Sequence, residues 1–189
     1  MAIKTFTTGE VLTASDTNTY LANSGLVYIT SASATSGATL NIDSIFSATY
    51  RSYRIVMEDV RIVSGVTGVS MQLRASGTTN NTTYYNVRQG FDYTTGAAGA
   101  APTANGASWN LPLIVDGGNS AGCAVDIFNP FLTQKTGYAG QGIDSRTNGY
   151  GALSGSGFHN TAASYTGISI NHGNTYTNIN VVVYGYRIG

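Results

Sequence analysis

Apolar and polar residues alternate along most of the chain from Leu26 onward. The alternation is regular over residues 69–74 and 165–171 and less strict over residues 180–187. Successive side chains of a strand point to opposite faces, so this alternation is typical of antiparallel strands with one buried face. The pattern predicts eleven short strands, which lie near residues 26–31, 38–42, 52–63, 68–75, 83–89, 108–115, 122–128, 135–142, 150–157, 164–171 and 179–188.

The residues before position 25 follow a different pattern. Thr13 and Asp16 fit a helix N-cap with an acidic residue three positions later, and Asn23 and Gly25 fit a helix stop. These signals predict a helix over about residues 14–22, which is too short to be stable alone in water. We therefore expect an N-terminal segment, residues 1–24, whose helix packs on its own domain or on another chain. A β domain, residues 25–189, follows it.

Short strands joined by turn-rich links and preceded by one brief helix predict an all-β sandwich or barrel. Glu58 and Asp59 interrupt the strand predicted over residues 52–63, which indicates a bulge or a bend. Residues 94–108 contain no charged or large side chain, so we expect a long surface loop there. A loop of that length in a compact domain is often functional or interfacial.

The chain carries little charge. Charged residues form only 10% of it, and nine basic residues balance nine acidic ones. A nucleic-acid binder needs a basic surface, so the composition argues against one. Hydrophobic residues at 42% and aromatic residues at 11% suffice for a core and argue against disorder. Residues 147–186 contain no charged side chain. Because uncharged strand edges invite pairing, we expect neighbouring subunits of a homo-oligomer to cover part of this stretch.

The candidate catalytic residues do not form a recognisable set. A nucleophile needs a base, and the two histidines, His159 and His172, lie beside turn residues. Residues 118–122 spell Gly-x-Ser-x-Gly, but a strand follows them where a nucleophile elbow needs a helix, so they predict a turn. Glycosidases need two carboxylates that face one bond, whereas Glu58 and Asp59 are neighbours that point to opposite faces of a strand. We predict a non-enzymatic protein without a cofactor.

The single cysteine and the N-terminus bear on metal binding and localisation. Cys123 lies among alternating apolar residues, which predicts a buried thiol, and no intrachain disulfide can form. One cysteine with two histidines cannot complete a four-ligand structural zinc site. The N-terminus lacks the apolar centre of a signal peptide, and no apolar run approaches the ~20 residues of a membrane span. We expect synthesis in a cytoplasm and no membrane insertion.

Aromatic residues are abundant and flank the predicted loop. Tyrosine, tryptophan and asparagine at a surface can stack on sugars and hydrogen-bond to them. The candidates for such receptor contacts are Tyr84, Tyr85, Tyr93 and Trp109. The alternative is that each tyrosine fills the sandwich or its edges and that Trp109, at the base of the loop, lies in the core. This alternative is the favoured one for each of the four residues.

The opening of the chain resembles the N-terminal motif of tailed-bacteriophage virion proteins such as tail fibres, minor tail proteins and capsid decoration proteins. The motif combines an aromatic residue, glycine, an acidic residue, Leu-Thr-Ala and asparagine within residues 4–21. The positions that carry it here are Phe6, Gly9, Leu12, Thr13, Asp16, Asn18, Tyr20 and Leu21. The closing strands, residues 165–170 and 181–187, are similar to the last strands of such proteins, which often end in Tyr-Gly-aromatic-basic.

This resemblance implies an antiparallel jelly-roll-like domain in a homotrimer on the surface of a virion. It implies that the N-terminal segment attaches the protein to other virion proteins of the tail or capsid. A tail fibre or appendage subunit is the expectation. A capsid decoration protein and a carbohydrate-binding module that contacts a host surface glycan are the alternatives.

Overall fold

The computed structural model describes residues 7–11, 13–14, 25–146 and 150–186. The described residues form thirteen β-strands, and every pairing between two of these strands is antiparallel. The strands are β1 (Leu26–Ala34), β2 (Thr39–Ile42), β3 (Ser52–Ile62), β4 (Val66–Ala75), β5 (Thr78–Thr79), β6 (Tyr84–Asp92), β7 (Ala98–Gly106), β8 (Trp109–Asp116), β9 (Ala121–Phe128), β10 (Gln134–Ile143), β11 (Tyr150–Ala163), β12 (Gly167–Asn171) and β13 (Tyr176–Tyr186). The predicted all-β class with antiparallel strands is confirmed.

The strands form two sheets. The eight-stranded sheet has the order β1-β13-β3-β9-β10-β11-β6-β7. The five-stranded sheet has the order β2-β12-β4-β5, and β8 also pairs with β4. Alternate side chains of both sheets meet in one hydrophobic cluster, to which β3 contributes Ile55, β13 contributes Val181, β4 contributes Met71 and β12 contributes Ile170. Burying a side chain of this size contributes roughly 1.5–3 kcal/mol, so the shared core holds the two sheets together.

Strand β8 also passes beneath the eight-stranded sheet. Its pairing with β4 shifts register between Gly68 and Ser70, and side chains of the larger sheet bond to its backbone nearby. The Tyr138 hydroxyl donates to the Asn110 carbonyl over 2.9 Å, and the Asn86 amide exchanges hydrogen bonds with the Asn110 backbone at 3.3 Å. Buried backbone groups need partners, so these side chains replace part of a strand neighbour for β8.

The irregularity predicted at Glu58 and Asp59 is present. Register shifts between Met57 and Val60 against β9, and Asp59 has a φ of 47°. The Arg61 guanidinium donates to the Asp59 carboxylate over 2.6 Å. A bulge at this position bends β3 while keeping its inward-facing residues on the core side.

The surface loop predicted over residues 94–108 is wrong in its main part. Residues Ala98–Gly106 form β7, which pairs with β6 from Phe91–Ala98 to Tyr84–Gly106. As the edge strand of its sheet, β7 is exposed on both faces for most of its length, so its sequence shows no two-residue period. Backbone hydrogen bonds to β6 define it. The two-residue strand β5 is also absent from the sequence prediction.

The charge-free stretch does not form the sheet edges. It supplies β11, β12 and β13, and each of these strands has a neighbour on both sides. The strand-edge argument for oligomerisation is therefore wrong, since the strands of this stretch are interior ones. The edges of the eight-stranded sheet are β1 and β7. Homo-oligomerisation itself stays a prediction.

Most of the N-terminal prediction lies outside the described residues. This applies to the helix beyond Ala14 and to six motif positions, namely Phe6, Leu12, Asp16, Asn18, Tyr20 and Leu21. Gly9 and Thr13 are described: Gly9 lies in a turn with a φ of 87°, and Thr13 is exposed. The backbone amide of Glu10 closes this turn by donating to the Thr7 carbonyl over 3.0 Å.

A buried arginine ties the connection after β2 to the β4–β5 hairpin. The Arg74 side chain is 9% exposed, and its Nε and Nη2 donate to the two carboxylate oxygens of Asp43 over 2.8 and 3.2 Å. Its Nη1 donates to the Thr79 hydroxyl over 2.6 Å, and Nη2 also donates to the Gly77 carbonyl. A planar guanidinium fits this forked arrangement, which a lysine ammonium could not reproduce.

Replacing Arg74 by alanine should lower the free energy of unfolding by about 2–3 kcal/mol, because Gly77 and Thr79 lose a buried charged donor. Urea denaturation at neutral pH measures the change. Arg51→Ala is the matched control, since Arg51 is exposed and should shift stability by no more than about 0.5 kcal/mol. Equal effects of the two substitutions would contradict this role for Arg74.

Candidate functional site

The outer face of the eight-stranded sheet presents side chains in rows that run across the strands. One row, in strand order, is Tyr28, Tyr184, Arg54, Asp126, Ala139, Ser156, Val87 and Pro102. The next row is Ser31, Val182, Val56, Ala124, Gln141, Ser154, Gln89 and Ala100. Adjacent strands lie about 4.8 Å apart, so neighbours within a row can act on one ligand together.

Large hydrophobic side chains concentrate on this face. The described residues include eleven exposed large hydrophobic side chains. Seven of these lie on the outer face, namely Leu26, Tyr28, Val87, Phe91, Phe128, Ile143 and Phe158. Monomeric proteins rarely leave extended apolar areas in water, so such a concentration marks an interaction surface.

One half of the outer face, on β1, β13 and β3, carries a tyrosine patch. It consists of Leu26, Tyr28, Val56, Val182 and Tyr184, which are neighbours in the strand register. The Tyr28 and Tyr184 rings meet edge to face with centroids 6.3 Å apart. Tyr28 is 59% exposed and Leu26 is 45% exposed, so the patch offers apolar surface to a partner.

A polar cluster of Arg54, Asp126 and Tyr186 lies in the middle of the outer face. The Tyr186 hydroxyl donates to Asp126 Oδ1 over 2.6 Å, and Arg54 Nη1 donates to the Tyr186 oxygen over 3.2 Å. Arg54 also lies 3.5 Å from the Asp126 carboxylate. The hydrogen bond to Tyr186 raises the pKa of Arg54, and burial followed by the bond to Asp126 raises the pKa of Tyr186. The cluster is a fixed pair of opposite charges that remains open to solvent.

A groove of about 470 Å³ lies beside this cluster, over β9, β10, β11 and β6. Arg54 and Asp126 form one wall, and Val87 and Gln89 form the opposite wall. Small residues of β10 and β11 form most of the floor. The side chains of Gln89, Gln141, Ser154 and Ser156 have no hydrogen bond to the rest of the described chain. Four unpartnered amide and hydroxyl groups therefore surround one concave surface.

Glycines on the buried side of the sheet let β10 and β11 lie close to β8. A Cβ atom at Gly155 would lie 3.3 Å from Pro112 Cδ and 3.2 Å from the Tyr138 hydroxyl. A Cβ atom at Gly142 would collide with the Pro112 carbonyl and lie 2.5 Å from Cys123 Cβ. Without these side chains, β10 and β11 approach the backbone of β8 directly. The groove lies on the opposite, solvent-facing surface, where the small side chains of Ala139, Ser154 and Ser156 stand between larger ones.

An aromatic wall lies one row of side chains beyond the groove lining. It consists of Phe128, Phe158 and Tyr85, whose positions follow one another across β9, β11 and β6 with Gly137 between the first two. The Phe158 and Tyr85 rings are parallel with centroids 5.1 Å apart, and Lys135 Nζ lies 5.7 Å from the Phe158 centroid. Phe158 and Tyr85 therefore stack on each other, and the wall presents aromatic surface to solvent.

The four aromatic residues predicted as candidate receptor contacts lie in different environments. Trp109 and Tyr84 are fully buried, so they cannot contact a receptor, which corrects their candidacy. Trp109 packs between Tyr84 and Tyr138 with centroid distances of 5.2 and 4.9 Å, which confirms the favoured alternative for this residue. Tyr85 belongs to the aromatic wall. Tyr93 is 58% exposed and lies beyond the end of β6, outside the groove.

Both histidines are buried inside the fold. His159 accepts a hydrogen bond from the Tyr165 hydroxyl at Nδ1 over 3.0 Å, and its Nε2 lies 3.0 Å from the Thr82 carbonyl. This arrangement assigns the proton to Nε2 and links β11 to the residues before β6. His172 Nδ1 accepts from the Asn174 amide over 2.9 Å, and burial lowers its pKa to about 4. These contacts make both histidines structural, away from the groove.

The remaining candidates for catalysis or metal binding do not come together in one site. The Gly-x-Ser-x-Gly string connects β8 to β9, which confirms the predicted turn between two strands. Cys123 is buried as predicted, and burial raises the pKa of its thiol to about 12. Within the described ranges, no three His, Cys, Asp or Glu residues lie close enough to hold a metal ion. In the same ranges no helix is long and apolar enough to span a membrane.

Comparison with known proteins supplies no assignment for this chain. No protein-family model matches it, and neither a curated protein nor a solved structure does. The functional argument therefore starts from the outer face of the eight-stranded sheet, where apolar surface and unpartnered polar groups are concentrated.

Trp109→Ala should lower the free energy of unfolding by about 3–5 kcal/mol, because it leaves a cavity between two buried tyrosines. Tyr93→Ala, which removes an exposed ring, should cost about 1 kcal/mol or less. Chemical denaturation followed by circular dichroism compares the two variants. A Trp109→Ala variant as stable as Tyr93→Ala would contradict the buried position of the indole.

The stability of the protein should fall as the pH falls from about 6.5 to 4. His172 in the unfolded chain takes up a proton near pH 6.5, whereas in the folded protein its pKa is about 4. The unfolded state therefore binds more protons in this window, and protonation favours unfolding. Between pH 7 and 4.5, His172→Asn should lose roughly 1–3 kcal/mol less stability than the native protein, as measured by urea denaturation. Parallel pH profiles for the two proteins would contradict the assignment.

Proposed function

We propose that the chain is a non-catalytic structural protein of a tailed-phage particle, a tail fibre or appendage subunit that assembles as a homotrimer. The N-terminal segment attaches the protein to other virion proteins, and the β domain is displayed at the particle surface. The observation that carries the assembly part of this proposal is the tyrosine patch, an exposed apolar area on ordered strands. The resemblance of residues 4–21 to the virion-protein motif supports the location on a particle.

The strand pairing supports a jelly-roll β-sandwich. Eight strands pair as nested partners when β5, β6, β7, β10 and β11 are treated as insertions. The first of the eight pairs with the last, β1 with β13, and the second with the seventh, β2 with β12. The third pairs with the sixth, β3 with β9, and the fourth with the fifth, β4 with β8. Folding an antiparallel ribbon of four such pairs over on itself produces a jelly roll.

The position of the tyrosine patch supports a closed ring of subunits. The patch includes Leu26, the first residue of β1, and therefore lies where the N-terminal segment joins the β domain. Closed cyclic symmetry is the usual arrangement of identical subunits. Three patches that meet around an axis would bring three attachment segments to the same end of the assembly. Such a trimer could then engage one symmetric site on the particle.

The buried chemistry supports a structural role. His159, His172 and Cys123 are all buried, and internal contacts of the fold account for the orientation of both histidines. The exposed acids Glu58 and Asp59 lie at a bulge that Arg61 and Asn178 hold in place. These arrangements stabilise the fold without presenting a paired nucleophile and base to a substrate.

Electron microscopy of particles labelled with an antibody against the β domain tests the location. Label on the tail is the expected result. Label confined to the head would support the capsid decoration alternative and contradict the tail assignment. Particles without label, from a preparation in which the antibody binds the purified protein, would contradict a place on the particle surface.

Tyr28→Glu should convert the oligomer to a monomer, because each interface would have to bury an uncompensated charge. Tyr93→Glu is a closely matched control, since the two tyrosines are 59% and 58% exposed and only Tyr28 lies in the patch. Light scattering coupled to size-exclusion chromatography at micromolar concentration measures the mass. We expect a trimer for the native protein and for Tyr93→Glu. A native monomer, or a trimeric Tyr28→Glu variant, would contradict the proposed interface.

A further inference from the structure

We infer that the groove on the outer face binds a neutral oligosaccharide. The inference extends the proposed function, on which it rests for the source of the ligand: a protein at a particle surface would meet glycans of a host cell. The groove lies mainly over β9, β10, β11 and β6, with Arg54 of β3 at its edge, whereas the tyrosine patch lies on β1, β13 and β3. Self-assembly and ligand binding can therefore use different parts of the same sheet.

The polar groups of the groove have the chemistry that sugar hydroxyls require. Gln141, Ser154 and Gln89 stand opposite one another on three successive strands, so the ladder they form spans about 10 Å. A glutamine amide offers both donors and an acceptor, and a serine hydroxyl donates and accepts. A sugar hydroxyl also donates and accepts, so each can form hydrogen bonds with these side chains. No contact within the described chain already occupies them.

The charge of the groove favours a neutral ligand. Arg54 and Asp126 are the charged residues of its lining, and they neutralise each other across one wall. Both remain partly exposed, with side-chain exposures of 37% and 29%, so their outer oxygen and nitrogen atoms can still bond to a ligand. An anionic polysaccharide or a nucleic acid would need an excess of positive charge, which this lining does not provide.

The aromatic wall supplies an apolar surface near the polar ladder. Phe128 and Phe158 are 41% and 42% exposed, and they lie one row beyond the Arg54–Asp126–Ser156 row. Sugar rings have apolar C–H faces as well as hydroxyl groups, and they pack well against aromatic side chains. The groove therefore has a polar ladder and, one row of side chains beyond its lining, an aromatic surface on which an extended oligosaccharide can pack.

The groove belongs to the paired strands of the folded sheet. Its lining residues all lie on β3, β6, β9, β10 and β11, so no loop has to close to form it. A preformed site loses little conformational entropy on binding, which helps a weakly bound, hydroxyl-rich ligand.

Binding of the full-length native protein to an array of immobilised neutral and anionic bacterial-surface oligosaccharides tests the inference. Calorimetry with the strongest array ligand then compares the native protein with two variants. The double variant Gln89→Ala/Gln141→Ala removes both ends of the polar ladder and should weaken binding at least tenfold. Gln134→Ala changes an exposed glutamine on β10 outside the groove and should leave binding unchanged.

Melting temperatures and oligomer masses of the same preparations separate the two proposals. Neutral glycan binding that the double variant loses, at an unchanged melting temperature, supports the groove. No ligand on the array, anionic ligands alone, or full binding by the double variant would overturn it. Loss of the trimer with intact glycan binding would contradict the assembly proposal alone, and a trimer that binds no glycan would contradict the groove alone.

Discussion

The close approach of β10 and β11 to the backbone of β8 is the constraint that fixes how this half of the eight-stranded sheet packs over the core. Gly142 and Gly155 make the approach possible because any side chain at these positions would meet Pro112. Hydrogen bonds from Tyr138 and Asn86 to the Asn110 backbone then hold β8 beneath the sheet. The groove lies on the opposite, solvent-facing surface of the same strands.

The strand order determines which residues share this surface. Nested pairing brings β1 beside β13 and β3 beside β9, so residues from both ends and the middle of the chain form one continuous sheet. Insertion of β10, β11, β6 and β7 widens this sheet to eight strands. The added strands carry the polar ladder, and the nested strands carry the tyrosine patch. We propose that the nested half assembles the particle protein and that the widened half recognises a ligand.

The sequence predicts the strands far better than it predicts the site. Alternation marks half-buried strands reliably, and Glu58–Asp59 marked a real bulge, because burial imposes a local pattern. The sequence did not predict the strand Ala98–Gly106, because an edge strand exposed on both faces has no such pattern. The ladder joins Gln89 of β6 to Gln141 and Ser154 of β10 and β11, which lie far from β6 in the sequence, and only the register of the folded sheet aligns them. The sequence favoured a core position for Trp109, and its place between Tyr84 and Tyr138 agrees with that expectation.

Hydroxyl-radical footprinting of the assembled protein, read residue by residue by mass spectrometry, tests most directly whether the tyrosine patch is the assembly surface. Tyr28 and Tyr93 are almost equally exposed in the isolated chain, so each serves as a reference for the other. On raising the concentration from the monomer to the oligomer range, Tyr28 should lose most of its reactivity while Tyr93 keeps its own. Equal reactivity of the two tyrosines in the assembled protein would contradict the account.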